Sequence, residues 1–87
     1  MFVIEADQHA EELGRYMHRA DAITELRRLA RLPWDEDPNR APCQSWRTCG
    51  RSYVLIAYDI SSTPWRQIDT TEIFHIGPAG IKWSSTL

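Results

Sequence analysis

Lysine is almost missing from this chain: one lysine stands beside nine arginines in 87 residues. The coding bias of a GC-rich genome accounts for that ratio. The competing account is an arginine-dependent binding face, since the guanidinium fork suits carboxylate and phosphate. Cysteine is also scarce. Cys43 and Cys49 are the two, too few for the disulfide framework of a small secreted scaffold. No apolar run approaches the ~20 residues that a membrane-spanning helix needs. An excess of one charge is lacking too: ten basic against twelve acidic residues leave a net charge of −2, which predicts no strong pull toward nucleic acid or anionic lipid. The first residues, Met1–Asp7, have neither the basic start nor the long apolar run of a signal peptide. A cytoplasmic location is therefore expected. Internal repeats and low-complexity tracts are absent.

What is present has globular proportions, 43% hydrophobic and 25% charged, which argues against disorder and collagen. A chain of this length buries roughly 60–65% of its unfolded surface and holds one core. One domain, 1–87, is expected. Four tryptophans are many for 87 residues.

Periodicity divides the chain. From Ala22 onward, Ala22, Ile23, Leu26, Leu29 and Ala30 gather within an arc of about 120° at helical spacing. Extended backward, Leu13 falls nearly opposite Leu29, and Met17 opposite Leu26. One straight helix over 8–32 would therefore bury opposite sides at its two ends. The preferred reading is a strand over Phe2–Asp7, a turn over Gln8–Glu12, a second strand over Leu13–Met17 and a helix from about Arg19–Asp21 to Leu32. In that second strand Leu13, Arg15 and Met17 point one way and Gly14, Tyr16 and His18 the other. Asp21 near the helix start and Arg27, Arg28 and Arg31 near its end complement the macrodipole. Pro33 stops it.

Residues 33–50 carry three prolines, the acidic run Asp35–Asp37, both cysteines and two tryptophans, without periodicity. Three strands follow. Arg51–Ile60 is apolar on both faces over Tyr53–Tyr58, as a central strand should be. Trp65–Gly77 contains the polar patch Asp69–Glu72; Ile68 keeps parity with Phe74 or Ile76, so the patch is expected to pair rather than loop out. Gly77–Gly80 is a turn, and Ile81–Ser84 a short last strand. The expected fold is α+β: one helix packed on an antiparallel sheet of four or five strands, in the order β-β-α-(long loop)-β-β-β. The alternative is β-α-β-β-β with one long helix. A strand apolar on both faces needs cover on the side away from the helix. A homodimer or the long loop would supply it.

Signals for chemistry are weak. Cys43 and Cys49 could hold half of a tetrahedral zinc site, with His9, His18 or His75 completing it, but the spacing is not that of a zinc knuckle. Two thiols packing a loop is the commoner outcome. Asp35, Glu36 and Asp37 lack the alternation and central glycine of a calcium loop. Ser45 with a histidine and an aspartate forms no recognisable nucleophile turn. Gly77 and Gly80 precede no helix that could cradle phosphate. No catalytic residue, metal or cofactor is assigned, and an enzyme is not expected.

The expected function is a non-catalytic module that binds another protein or regulates it. The alternative is a nucleic-acid binder using Arg19, Arg27, Arg28 and Arg31 on the helix. A metal-binding domain built on the cysteines is a more remote one. The candidate surface is the ordered loop 33–50, centred on Trp34, Arg40, Trp46 and Arg47, because a long connection without structure of its own is usually functional or disordered and tryptophan and arginine dominate binding interfaces. The rival reading makes Trp34 and Trp46 plugs for the open sheet face.

Overall fold

The computed structural model describes residues 1–6, 11–40 and 50–86. Five strands and one helix follow the expected order: β1 (Phe2–Ala6), β2 (Glu11–Tyr16), α1 (Arg19–Ala30), β3 (Arg51–Asp59), β4 (Arg66–Gly77) and β5 (Gly80–Trp83). The strands form one antiparallel sheet in the order β2-β1-β3-β4-β5. The fold is α+β, with β3 at the centre and β2 and β5 at the edges.

Helix α1 lies over β1 and β2, and its buried residues are the expected stripe of Ala22, Ile23, Leu26 and Leu29. They pack with Ile4, Tyr53, Leu55, Ile73, Phe74 and Ile76 of the sheet. Each fully buried aliphatic side chain of this kind contributes about 1.5–3 kcal/mol of transfer free energy. His18 holds the N-cap position without a side-chain bond. The helix ends two residues sooner than expected, with Arg31 as its C-cap.

Three strand details differ from the alternation read in the sequence, all through bulges. An extra residue in one strand of a pair reverses the facing of everything beyond it. On β2 the register skips Leu13, since Ile4 pairs Gly14 and Glu5 pairs Glu12. Leu13 and Tyr16 consequently both pack toward the core, whereas Met17 lies beyond the strand and is 60% exposed. On β4 the register skips Ile73, between Tyr53–Phe74 and Val54–Glu72. Ile73 and Phe74 are then adjacent in sequence and both in the core. A second skip passes Ile68, between Ala57–Asp69 and Tyr58–Gln67, and Ile68 is 63% exposed. The polar patch does pair: Asp69, Thr70, Thr71 and Glu72 sit opposite Ala57, Ile56, Leu55 and Val54. The parity argument for it, which placed Ile68 with Phe74, fails at these bulges. Strand β2 also starts two residues sooner than expected, since Glu11 and Glu12 belong to it.

The face away from α1 is not open. Val3, Val54 and Ile56 alternate with the helix-side residues and are buried. Trp65 lies on this side, its ring 5.9 Å from that of Tyr58 and 5.1 Å beneath the Arg15 guanidinium. Burial of this row within one chain removes the sequence-based reason for a second copy. Among the described residues, no helix is long and apolar enough to cross a membrane.

Candidate functional site

The loop singled out in the sequence is described only in part. Trp34 packs against the core cluster that α1 covers, not on the far face where a plug was expected. Arg40 is exposed, and its backbone carbonyl accepts a bond from Arg51 Nη2 at 3.0 Å. Trp46, Arg47, Cys43 and Cys49 lie outside the described residues, as does His9. Among the described residues no group of three or more His, Cys, Asp or Glu is arranged to hold a metal ion.

The residue that organises the described part of this loop is Asn39, which the sequence reading passed over. It is 1% exposed. Its Nδ2 donates to the Leu29 carbonyl at 2.8 Å, which also accepts the Leu32 N–H, and to the Leu32 carbonyl at 3.1 Å, so it binds the last turn of α1 and the residues just beyond it. Its Oδ1 accepts from the Tyr53 hydroxyl at 2.7 Å. Burial pushes the Tyr53 hydroxyl up to about 12, only partly opposed by the Arg51 charge. One asparagine therefore ties helix end, loop and central strand. Its sequence signal, a polar residue after a proline, is that of any turn.

Arg51 is 3% exposed. Its Nη2 meets Glu11 at 3.2 Å, while Nε and Nη1 have no hydrogen-bond partner among the described residues. Ser52 Oγ and His75 Nδ1 lie 2.8 Å apart on the far face. A nucleophile and base need a third group to orient the ring. Here the other ring nitrogen packs against Gly50, where even a Cβ would collide with it. A Cβ at position 50 would meet the His75 ring first and then the Ile76 carbonyl, so glycine there leaves room for the imidazole.

A groove of about 490 Å³ runs between the end of α1 and β5. Arg27, Ala30 and Arg31 form its helix wall; Ile81, Trp83, Ser85 and Thr86 form the opposite one. Three local causes set it. The β4–β5 hairpin closes through Gly80, whose φ of +101° suits glycine. Alternation then sends Ile81 and Trp83 to the helix side, opposite Ile76 and Phe74. Because α1 sits over β1 and β2, at the other end of the sheet, these side chains remain 39% and 45% exposed. Trp83 is nonetheless held: its ring lies 5.0 Å from that of Phe74, which lies 4.9 Å from that of Tyr53.

The charges differ from wall to wall. Arg15, Arg28, Arg51 and Arg66 each have an ion pair, with Glu12, Glu25, Glu11 and Asp59. Arg27 and Arg31 have none among the described residues, and neither does Arg19 at the far end of the helix. The groove thus combines a half-exposed apolar floor with two guanidinium groups that have no ion pair among the described residues. Helical spacing shows that Arg27 and Arg31 share a face; that this face looks onto Trp83 is decided by the fold. Comparison with protein-family models, with curated proteins and with solved structures returns no match.

Proposed function

We propose that the protein is a non-catalytic binding module whose partner is another protein, received in the groove between α1 and β5. The observation that carries this reading is an exposed Ile81–Trp83 pair on an edge strand, facing two arginines that have no ion pair among the described residues. Exposed apolar side chains next to unpaired arginines favour an interface, since aromatic and arginine anchors supply most binding energy. The sheet and helix supply rigid support. No described cluster of acid, base and nucleophile competes with this reading.

The nucleic-acid alternative keeps one supporting observation, the half-exposed Trp83 beside Arg27 and Arg31, since bases stack on aromatic rings. Arg28 no longer supports it, because Glu25 neutralises it at 3.0 Å. The two readings separate by salt and nuclease. Phosphate-driven affinity falls steeply with salt, and capture through the groove should survive nuclease treatment.

The test is affinity capture from lysate by the wild-type chain, by an Ile81→Asp variant and by an Arg40→Ala variant, all checked for native circular dichroism. The groove reading expects Ile81→Asp to lose a protein that wild type and Arg40→Ala both retain after nuclease. Loss confined to Arg40→Ala would return recognition to the loop of Trp34, Arg40, Trp46 and Arg47. Capture of nucleic acid alone would displace the protein-partner reading.

A further inference from the structure

The groove has a feature that side-chain lining alone does not describe: one of its walls is an open strand edge. Ser84 N–H donates to the Ile73 carbonyl at 2.8 Å. In an antiparallel pair, hydrogen-bonded and non-bonded residue pairs alternate. Stepping back along β5, the pair Trp83–Phe74 is non-bonded, Lys82–His75 is bonded and Ile81–Ile76 is non-bonded. The backbone N–H and C=O groups of Ile81 and Trp83 therefore point away from β4, to the edge of the sheet. Two donors and two acceptors stand there beside the same residues whose side chains floor the groove.

We infer that β5 takes up an extended, acidic segment of a partner protein as a sixth strand, with carboxylates at alternate positions meeting Arg27 and Arg31. This rests on the groove being the binding site. Main-chain bonds to Ile81 and Trp83 supply strand addition, the mode in which a peptide extends an exposed sheet edge. Spacing supplies the rest. Arg27 and Arg31 are one helical turn apart, about 6 Å along the axis. Residues i and i+2 of a strand are about 6.5 Å apart and share a face. Glutamate stems would lie over Ile81 and Trp83 while their carboxylates reach the guanidinium groups, for which a planar carboxylate is the fitting partner.

Charge selects against other occupants. A second copy adding its own β5 would bring Lys82 against Lys82, and would crowd the unpaired Arg27 and Arg31 of both chains together. Like charges facing each other across a strand pair destabilise it. A nucleic acid strand would meet the two arginines and Trp83 but leave the peptide-like edge groups of Ile81 and Trp83 without matching partners. An acidic extended peptide satisfies both sets.

The test is amide chemical-shift mapping of the isotope-labelled full chain. The probe is a blocked seven-residue peptide of alternating valine and glutamate, taken to millimolar concentration. Its relatives carry glutamine or lysine in place of glutamate, or proline at the central positions. Saturable shifts centred on Ile81 and Trp83 are expected for the glutamate peptide, with loss of binding for the proline form. Joint replacement Arg27→Glu and Arg31→Glu, at two exposed positions, should weaken the glutamate peptide at least about tenfold and create binding of the lysine peptide. Equal binding of the glutamine or lysine peptide to wild type would overturn the acidic partner and leave the groove as a protein-binding site. Glutamate-peptide shifts elsewhere on the sheet, or none at all, would overturn the strand addition. Shifts of the groove amides by single-stranded oligouridylate and by no peptide would overturn both this inference and the protein-partner reading beneath it.

Discussion

The two edge strands of the sheet, β2 and β5, face the same hazard and meet it differently. A strand edge exposes unpaired backbone groups to any extended chain, and natural sheets blunt it with charge, bulges, brevity or cover. Strand β2 uses several of these at once. Glu11, Glu12 and Arg15 place three charges in six residues, Arg15 Nε bonds Glu12 at 2.9 Å, and the bulge at Leu13 breaks the ladder. Helix α1 packs over it. Strand β5 relies on its four-residue length and on Lys82. It lacks the cover of α1, and its helix-side residues are apolar. The difference is between an edge closed against company and one left available, and the helix is what divides them.

The largest effect expected from that division is on stability. Leu26 is fully buried between α1 and the sheet, so Leu26→Ala should lower the unfolding free energy by about 2–5 kcal/mol. Ile81→Ala, in the open groove, should cost under about 1 kcal/mol. Urea denaturation of both variants checks the contrast; equal costs would mean that β5 is as much core as the covered side.

Next comes the buried support that connects the two sides. The Tyr53 hydroxyl, raised by burial to about 12, favours the neutral form in the folded state. Its contribution is intact below pH 10, where tyrosine in the unfolded chain keeps its proton. It is lost as pH climbs from 10 toward 12, because only the unfolded chain ionises there. The loss should amount to about 2–3 kcal/mol, and Tyr53→Phe should remove that part of the alkaline slope. Asn39→Ala, read by thermal melting at neutral pH, should cost about 1–3 kcal/mol, since it removes the acceptor of the Tyr53 hydroxyl and the amide donor to the Leu32 carbonyl, the Leu29 carbonyl keeping its bond from the Leu32 N–H. A neutral outcome would show that water replaces the amide freely.

The smallest effect is local. On β5 the Lys82 amide, bonded to β4, should exchange with deuterium more slowly than those of Ile81 and Trp83, which face the open edge. Native-state exchange reads all three. Uniform protection would place an unseen partner on this edge and blur the contrast with β2.

Much of the fold was legible because its signals are local. The helical stripe from Ala22 to Ala30, the stop at Pro33, the doubly apolar run Tyr53–Tyr58 and the Gly77–Gly80 turn each fall within a dozen residues. They gave the element order and the choice of one short helix over a long one. The bulges were not legible. Whether Leu13, Ile68 and Ile73 are skipped depends on the partner strand, although the adjacent apolar pair Ile73–Phe74 was a hint that strict alternation would break. The place of the Trp65 ring, against Tyr58 and beneath Arg15, was not legible because it depends on a strand distant in sequence. The groove was not legible either, since it draws Arg27 and Arg31 from one element and Trp83 from another 52 residues later, whereas loop 33–50, where tryptophan and arginine are dense, lies partly outside the described residues.

The amino-acid pattern by itself determined an α+β chain with four or five strands' worth of extended segments, one amphipathic helix and a nearly balanced charge. Periodicity and turn chemistry are properties of neighbouring residues, and neighbours are what a sequence displays. Only the tertiary structure decided which strands became edges, that α1 would lie over β1 and β2 and leave β5 uncovered, and that Asn39 would be buried against Tyr53. Those outcomes follow from register and packing between distant segments. There the balance of buried area and satisfied hydrogen bonds is struck across the whole sheet rather than along the chain.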